Sequence, residues 1–174
     1  MLTLKLIGSF CVILSCACYS QLLNQQFQHQ IDHLRLLYQV LYSIKGEITY
    51  THAPLDEIFT HLEFHYTDLI QDWSRSVAAQ IEEKTQHDFY TIWEQSITHY
   101  FAAYRLKAVH NKLLLEFGFQ LDKADCDTKL GSLELVLKRF QEEITHEEST
   151  LANKKRLCNY LGIMTGIFLV ILLF

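Results

Sequence analysis

A chain of 174 residues has room for one domain once its apolar ends are set aside. Its 20 acidic side chains outnumber 15 Lys and Arg, and no basic stripe interleaves with aromatics, which excludes a nucleic-acid-binding surface. The hydrophobic fraction of 49% is ordinary, but it is unevenly spread: no charged side chain lies between Lys5 and Asp32, and none follows Arg156.

The first uncharged stretch, taken as a transmembrane helix over residues 4–23, is long enough at roughly 1.5 Å per residue to cross most of a ~30 Å hydrocarbon core. A cleaved secretory signal is the rival reading, with Lys5 as its basic end and small residues near Ala17 as a processing site; it would export the middle of the chain. The cluster Lys154, Lys155 and Arg156 argues the other way. It immediately precedes a second expected span at 157–174, and basic residues favour the cytoplasmic side. The expectation is a two-span, multi-pass cell-membrane protein embedded in the lipid bilayer, with residues 24–156 as a cytoplasmic helical domain. Cysteine usage agrees with a reducing compartment, since only Cys126 lies well away from the two uncharged stretches.

Between those stretches the periodicity is helical throughout, and one Pro with few Gly leaves little punctuation. Leu34, Leu37, Tyr38, Leu41, Ile44 and Ile48 form the stripe of a first long helix, with Gly46 either a weak point or a close-packing point. Ala53 and Pro54 end it and start the next, whose buried stripe is Leu55, Ile58, Phe59 and Leu62. Thr67 and Asp68 offer a cap to a third helix carrying Leu69, Ile70, Trp73, Val77 and Ile81. Asp88 offers one to a fourth, carrying Phe89, Ile92, Trp93, Ile97 and Phe101. A fifth helix is expected from about Tyr104 to Phe119 with Leu106, Val109, Leu113 and Leu114 inward, then a loop from Gly118 to Asp127. A final long helix through Leu130, Leu133, Leu137, Phe140, Ile144 and Leu151 should run on into the chain's apolar end. The fold class expected is all-α, a bundle of about six helices flanked by a membrane helix at each end.

The opening Leu-Lys-Leu-Ile-Gly, the block from Gly46 to Ile58, Trp93, and the ending from Leu161 through Gly162 and Gly166 together resemble the stage III sporulation protein AB family of endospore-forming bacteria. The chain departs from the family pattern at Leu121-Asp122 and at Asp125 to Lys129, where a Leu-Gly step and a downstream Gln are usual. The resemblance implies a membrane part of the sporulation transenvelope complex between mother cell and forespore, its soluble domain facing the mother-cell cytoplasm. That domain is similar to the platform domains of type II secretion and type IV pilus machines. Partners implied are other stage III subunits, with a secretion-type ATPase foremost, and the chain itself would hydrolyse nothing.

Candidate chemistry is sparse. His29 with His33, and His61 with His65, are four apart, so each pair shares one helix face where two imidazoles can meet a metal. Solvated pairs are the plainer reading, because Leu62 stands where a metalloprotease helix carries Glu. A di-iron bundle needs two Glu-x-x-His motifs, and Glu143 with His146 supplies one. A metal-binding or redox membrane protein is therefore the alternative function, while no catalytic, cofactor or metal residue is assigned. Glu142, Glu143, Glu147 and Glu148 form an acidic row that suits a basic partner. Gly162 and Gly166, one turn apart, permit close helix approach, either to the first uncharged segment or in a homo-oligomer.

Overall fold

The computed structural model describes residues 28–66, 68–83, 88–123 and 126–173. Six α-helices account for most of them: α1 (28–50), α2 (Leu55–His65), α3 (Asp68–Glu82), α4 (Phe89–Tyr100), α5 (Ala108–Lys123) and α6 (Cys126–Leu173). No strand occurs among the described residues, as the helical periodicity requires. The chain divides into two compact units, one formed by His33–Ile144 and the other by the terminal segments Met1–Asp32 and Thr145–Phe174.

In the His33–Ile144 unit, one apolar cluster takes side chains from all six helices. From α1 it buries Leu34, Leu37, Val40, Leu41, Ile44 and Ile48, the i, i+3, i+7 stripe of an amphipathic helix. This helix ends where the Thr51 hydroxyl donates to the Glu47 carbonyl at 2.6 Å and His52 enters the left-handed region at φ 52°. Pro54 then caps α2 at φ −66°, ψ 157°, a conformation its ring favours. Ile58, Phe59 and Leu62 point inward from α2, while Leu55 is only partly buried.

The centre of the cluster is aromatic. Trp73 of α3 and Trp93 of α4 meet edge to face at 5.5 Å, and Phe59 of α2 stands 5.5 Å from Trp73. Each buried indole N–H needs an acceptor. Trp73 Nε1 donates to Ser96 Oγ at 3.0 Å, and Trp93 Nε1 donates to the Leu114 carbonyl at 2.9 Å. Those two bonds tie α3 to α4 and α4 to α5.

Several local expectations shift. Asp88 does occupy the N-cap of α4, but its carboxylate accepts from the Thr91 hydroxyl rather than from a backbone N–H. Thr67 lies outside the described residues. The fifth helix starts later than its sequence suggests: Ala102–Tyr104 forms a 3-10 turn, and Arg105 adopts φ 49° before α5 begins at Ala108. Val109 is accordingly 39% exposed, and its neighbour His110 is buried in its place. The expected loop at Gly118 is instead helix through Lys123. The final helix is continuous from Cys126 to Leu173, as the periodicity of Leu130 to Leu151 anticipates.

The membrane expectation is corrected. Among the described residues, no helix is long and apolar enough to cross a membrane. The uncharged part of α6, from Leu157 to Leu173, rises about 25 Å, short of a ~30 Å hydrocarbon core, and Asn159 and Thr165 interrupt its apolar run. The 4–23 segment lies outside the described residues. A two-span protein with its middle facing the mother-cell cytoplasm does not stand, and the cluster Lys154, Lys155 and Arg156 loses its role as a topology marker. All three residues lie within the uninterrupted α6.

Candidate functional site

Helix α5 has a second apolar face. Leu113, Leu114, Phe117 and Leu121 go into the core, while Ala108, Leu115 and Phe119 repeat at a helical interval on another side. That outer stripe floors an open groove of about 780 Å³, walled by Tyr90 of α4 and Arg139 of α6 and rimmed by Asn111, Lys112 and Glu116. Phe119 stays 39% exposed although Tyr90 meets its edge at 5.8 Å. Arg139 is held at the rim by a hydrogen bond from Nη1 to Glu116 Oε1 at 3.1 Å. The groove therefore sets an apolar floor beside Lys112 and the Arg139–Glu116 ion pair. The sequence signal for this face lies in Ala108, Leu115 and Phe119, and a helix phased from Tyr104 hides it.

A smaller cavity, about 470 Å³, opens between α1 and α2 and is lined by Ser43, Gly46, Glu47, His61, Leu62, His65 and Tyr66. Ser43 Oγ and Tyr66 OH, 3.1 Å apart, close one end. His61 stands between two carboxylates: its Nδ1 is 3.6 Å from Glu47 Oε2 on α1, and its Nε2 is 3.9 Å from Glu57 Oε1 one turn away on α2. His65 Nδ1 lies 2.9 Å from the His61 carbonyl, an acceptor that fixes the proton on Nδ1 and leaves the Nε2 lone pair free of it.

The other candidates from the sequence are scattered. His33 stacks flat on Tyr104 with centroids 3.9 Å apart, and His29 is exposed in the first turn of the described α1, so that pair encloses nothing. Burial raises the Tyr104 phenol above its ordinary value, and nearby Asp68 adds to the rise. Glu143 has a carboxylate oxygen within 4.8 Å of a ring nitrogen of buried His110, whereas His146 is exposed. Sequence spacing thus pairs Glu143 with the wrong histidine. In the acidic row, Glu142 is exposed and Glu143, Glu147 and Glu148 are half-buried. Gly162 and Gly166 are both helical within α6, and Arg156 is exposed.

The profile of a family described as stage III sporulation protein AB matches residues 5–174. The stage III sporulation protein AB of Bacillus subtilis (strain 168) is 22% identical over 170 residues, which cover 98% of this chain and 99% of that protein. A solved structure of stage III sporulation protein AB superposes with a TM-score of 0.64 at 21% identity, covering 71% of this chain and 97% of the other. At that identity the likeness establishes the helical fold.

Proposed function

This chain belongs to the stage III sporulation protein AB family, and on that premise we propose that it is a non-enzymatic component of the sporulation stage III assembly that docks other subunits, a secretion-type ATPase among them. The observation that carries the reading is the α5 groove. Its apolar floor of Ala108, Leu115 and Phe119 lies beside Lys112, with Arg139 already paired to Glu116, which suits a partner helix with an apolar stripe and an acidic side chain facing Lys112. The acidic row beginning at Glu142 is a second contact surface in this proposal, for a basic segment.

The test is capture of the ATPase by the immobilised full-length chain. Lys112→Glu and Phe119→Ser should each weaken capture at least tenfold while leaving the melting temperature unchanged, and Glu142→Lys separates the acidic row from the groove. Equal capture by both groove variants overturns the groove. ATP turnover by the chain alone, persisting through repurification, overturns the non-enzymatic reading.

A further inference from the structure

We propose that the cavity between α1 and α2 is a socket for an arginine side chain presented by a basic segment of a partner protein, with Glu47 as the carboxylate that receives the guanidinium. The socket is separate from the α5 groove and stands without that docking reading. Among the described residues of the His33–Ile144 unit, the two most exposed large apolar side chains flank it: Tyr50, 86% exposed, on α1 and Phe64, 79% exposed, on α2. Tyr50 is three residues past Glu47 and Phe64 three past His61, so each shares a helix face with a residue of the cavity wall. The Glu47–His61 and Ser43–Tyr66 contacts set α1 and α2 antiparallel, which places the two rings at opposite ends of the opening.

The charge balance selects a cation. The Glu47 side chain is only 28% exposed, yet the donors facing its Oε2 stand off, the Thr51 hydroxyl at 3.4 Å and His61 Nδ1 at 3.6 Å. A carboxylate so far withdrawn from water gains from a closer donor, and most from a charged one. Glu57 Oε1, 3.9 Å from His61 Nε2, adds a second negative charge beside the cavity. Among the described residues that line it there is no Lys or Arg. The neighbouring cations are engaged elsewhere: Lys45 with Glu134 on α6 at 3.6 Å, and Arg75 with Glu63 at 2.7 Å.

Shape narrows the cation to arginine. Glu47 offers carboxylate oxygens on the α1 wall, and Ser43 Oγ and Tyr66 OH offer hydroxyl oxygens at one end. Acceptors spread in this way suit the planar fork of a guanidinium better than the single point of an ammonium. The exposed rings of Tyr50 and Phe64 are faces on which a guanidinium stacks. Buried Leu62 gives the cavity an apolar wall for the methylene stem. Gly46 also lines the cavity, and no atom lies within 4 Å of where its Cβ would stand, so the stem has an open way in. A protein segment is the source rather than free arginine, because two exposed aromatics at opposite ends bury their surface only against a larger body.

The probe is an acetylated and amidated alanine-based helical peptide with one arginine at its centre, titrated into the full-length chain and followed through the His61 and His65 ring signals by NMR. Control peptides carry lysine, or citrulline as the uncharged counterpart of arginine, at the same place. Expected is a saturable shift with the arginine peptide, weaker binding with lysine, and binding at least tenfold weaker with citrulline. Glu47→Gln and Gly46→Leu should each weaken binding of the arginine peptide at least tenfold, Tyr50→Ala and Phe64→Ala by smaller factors, and Glu142→Lys, in the acidic row, should leave it unchanged. Gly46→Leu fills the opening at a position with room for a side chain and raises helix propensity, so its loss of binding should come without loss of melting temperature, whatever Glu47→Gln does to folding. No saturable shift with the arginine peptide overturns the proposal, and so does a lysine or citrulline peptide that binds as well as the arginine one. Binding that survives both Glu47→Gln and Gly46→Leu overturns it too, and binding lost in Glu142→Lys overturns it in favour of the acidic row.

Discussion

Gly118 of α5 lies directly against the indole of Trp93 on α4, so close that a Cβ built at Gly118 would fall inside the Cδ1, Nε1 and Cγ atoms of that ring. The same indole is pinned by its bond to the Leu114 carbonyl, one turn earlier on α5. Gly118→Ala should therefore destabilise by about 1–3 kcal/mol despite the roughly 1 kcal/mol that Ala gains over Gly in a helix interior. Urea unfolding of the two chains reads the difference, and a substituted chain as stable as the parent would contradict the contact.

Gly46 is the counterexample within the same unit. It is helical, and no atom lies within 4 Å of the place its Cβ would take. Gly46→Ala should stabilise by about 0.5–1 kcal/mol through the helix backbone alone, with an unchanged denaturant slope.

Ser96 and Ser74 are both buried, yet they should respond differently to truncation. Ser96 Oγ is the acceptor for Trp73 Nε1, a donor with no access to water. Ser96→Ala leaves that N–H unmet and should cost about 1–3 kcal/mol. Ser74 Oγ donates to the Ile70 and Gln71 carbonyls of its own helix. Ser74→Ala should change stability by less than about 1 kcal/mol. Thermal melts of the two variants side by side provide the comparison.

Tyr104 links stability to alkaline pH. Its phenol is raised above 10.0 in the folded chain, first by burial and then by Asp68. Below the unfolded value both states are protonated, and the folded contacts of Tyr104 contribute in full. As pH climbs past about 10 the unfolded phenol ionises before the folded one, so stability falls until the folded value is passed. Tyr104→Phe should remove this part of the decline. Denaturant midpoints between about pH 9 and about pH 11 show whether the two curves diverge.

Helix existence is legible in the sequence because each core stripe, such as Leu34 to Ile48 or Leu133 to Ile144, repeats at 3.6 residues whatever it packs against. The start of α5 is not. Arg105 sits in the left-handed region, which only its surroundings impose, and the residue type carries no sign of it. Gly118 looks like a loop because glycine usually breaks helices; here the need for a missing side chain comes from Trp93, distant in sequence. The same reason hides the cavity between α1 and α2. His61 and His65 announce themselves by spacing, whereas Glu47 joins them only once two helices lie side by side. The apolar run after Arg156 misleads in the opposite direction, since lack of charge is not the same as length enough to span.

The chain has two tryptophans, and both stand in one cluster, ring against ring at 5.5 Å. Its intrinsic fluorescence consequently arises from a single locus inside His33–Ile144. Light absorbed by either indole is shared with the other, and their coupled transitions should give an intense near-ultraviolet circular dichroism band. A melt followed by tryptophan emission reports the meeting of α3, α4 and α5, and it is blind to whatever happens beyond Thr145. An unfolding experiment that must cover the far half of α6 needs a tryptophan placed there, for which exposed Tyr160 is the conservative position.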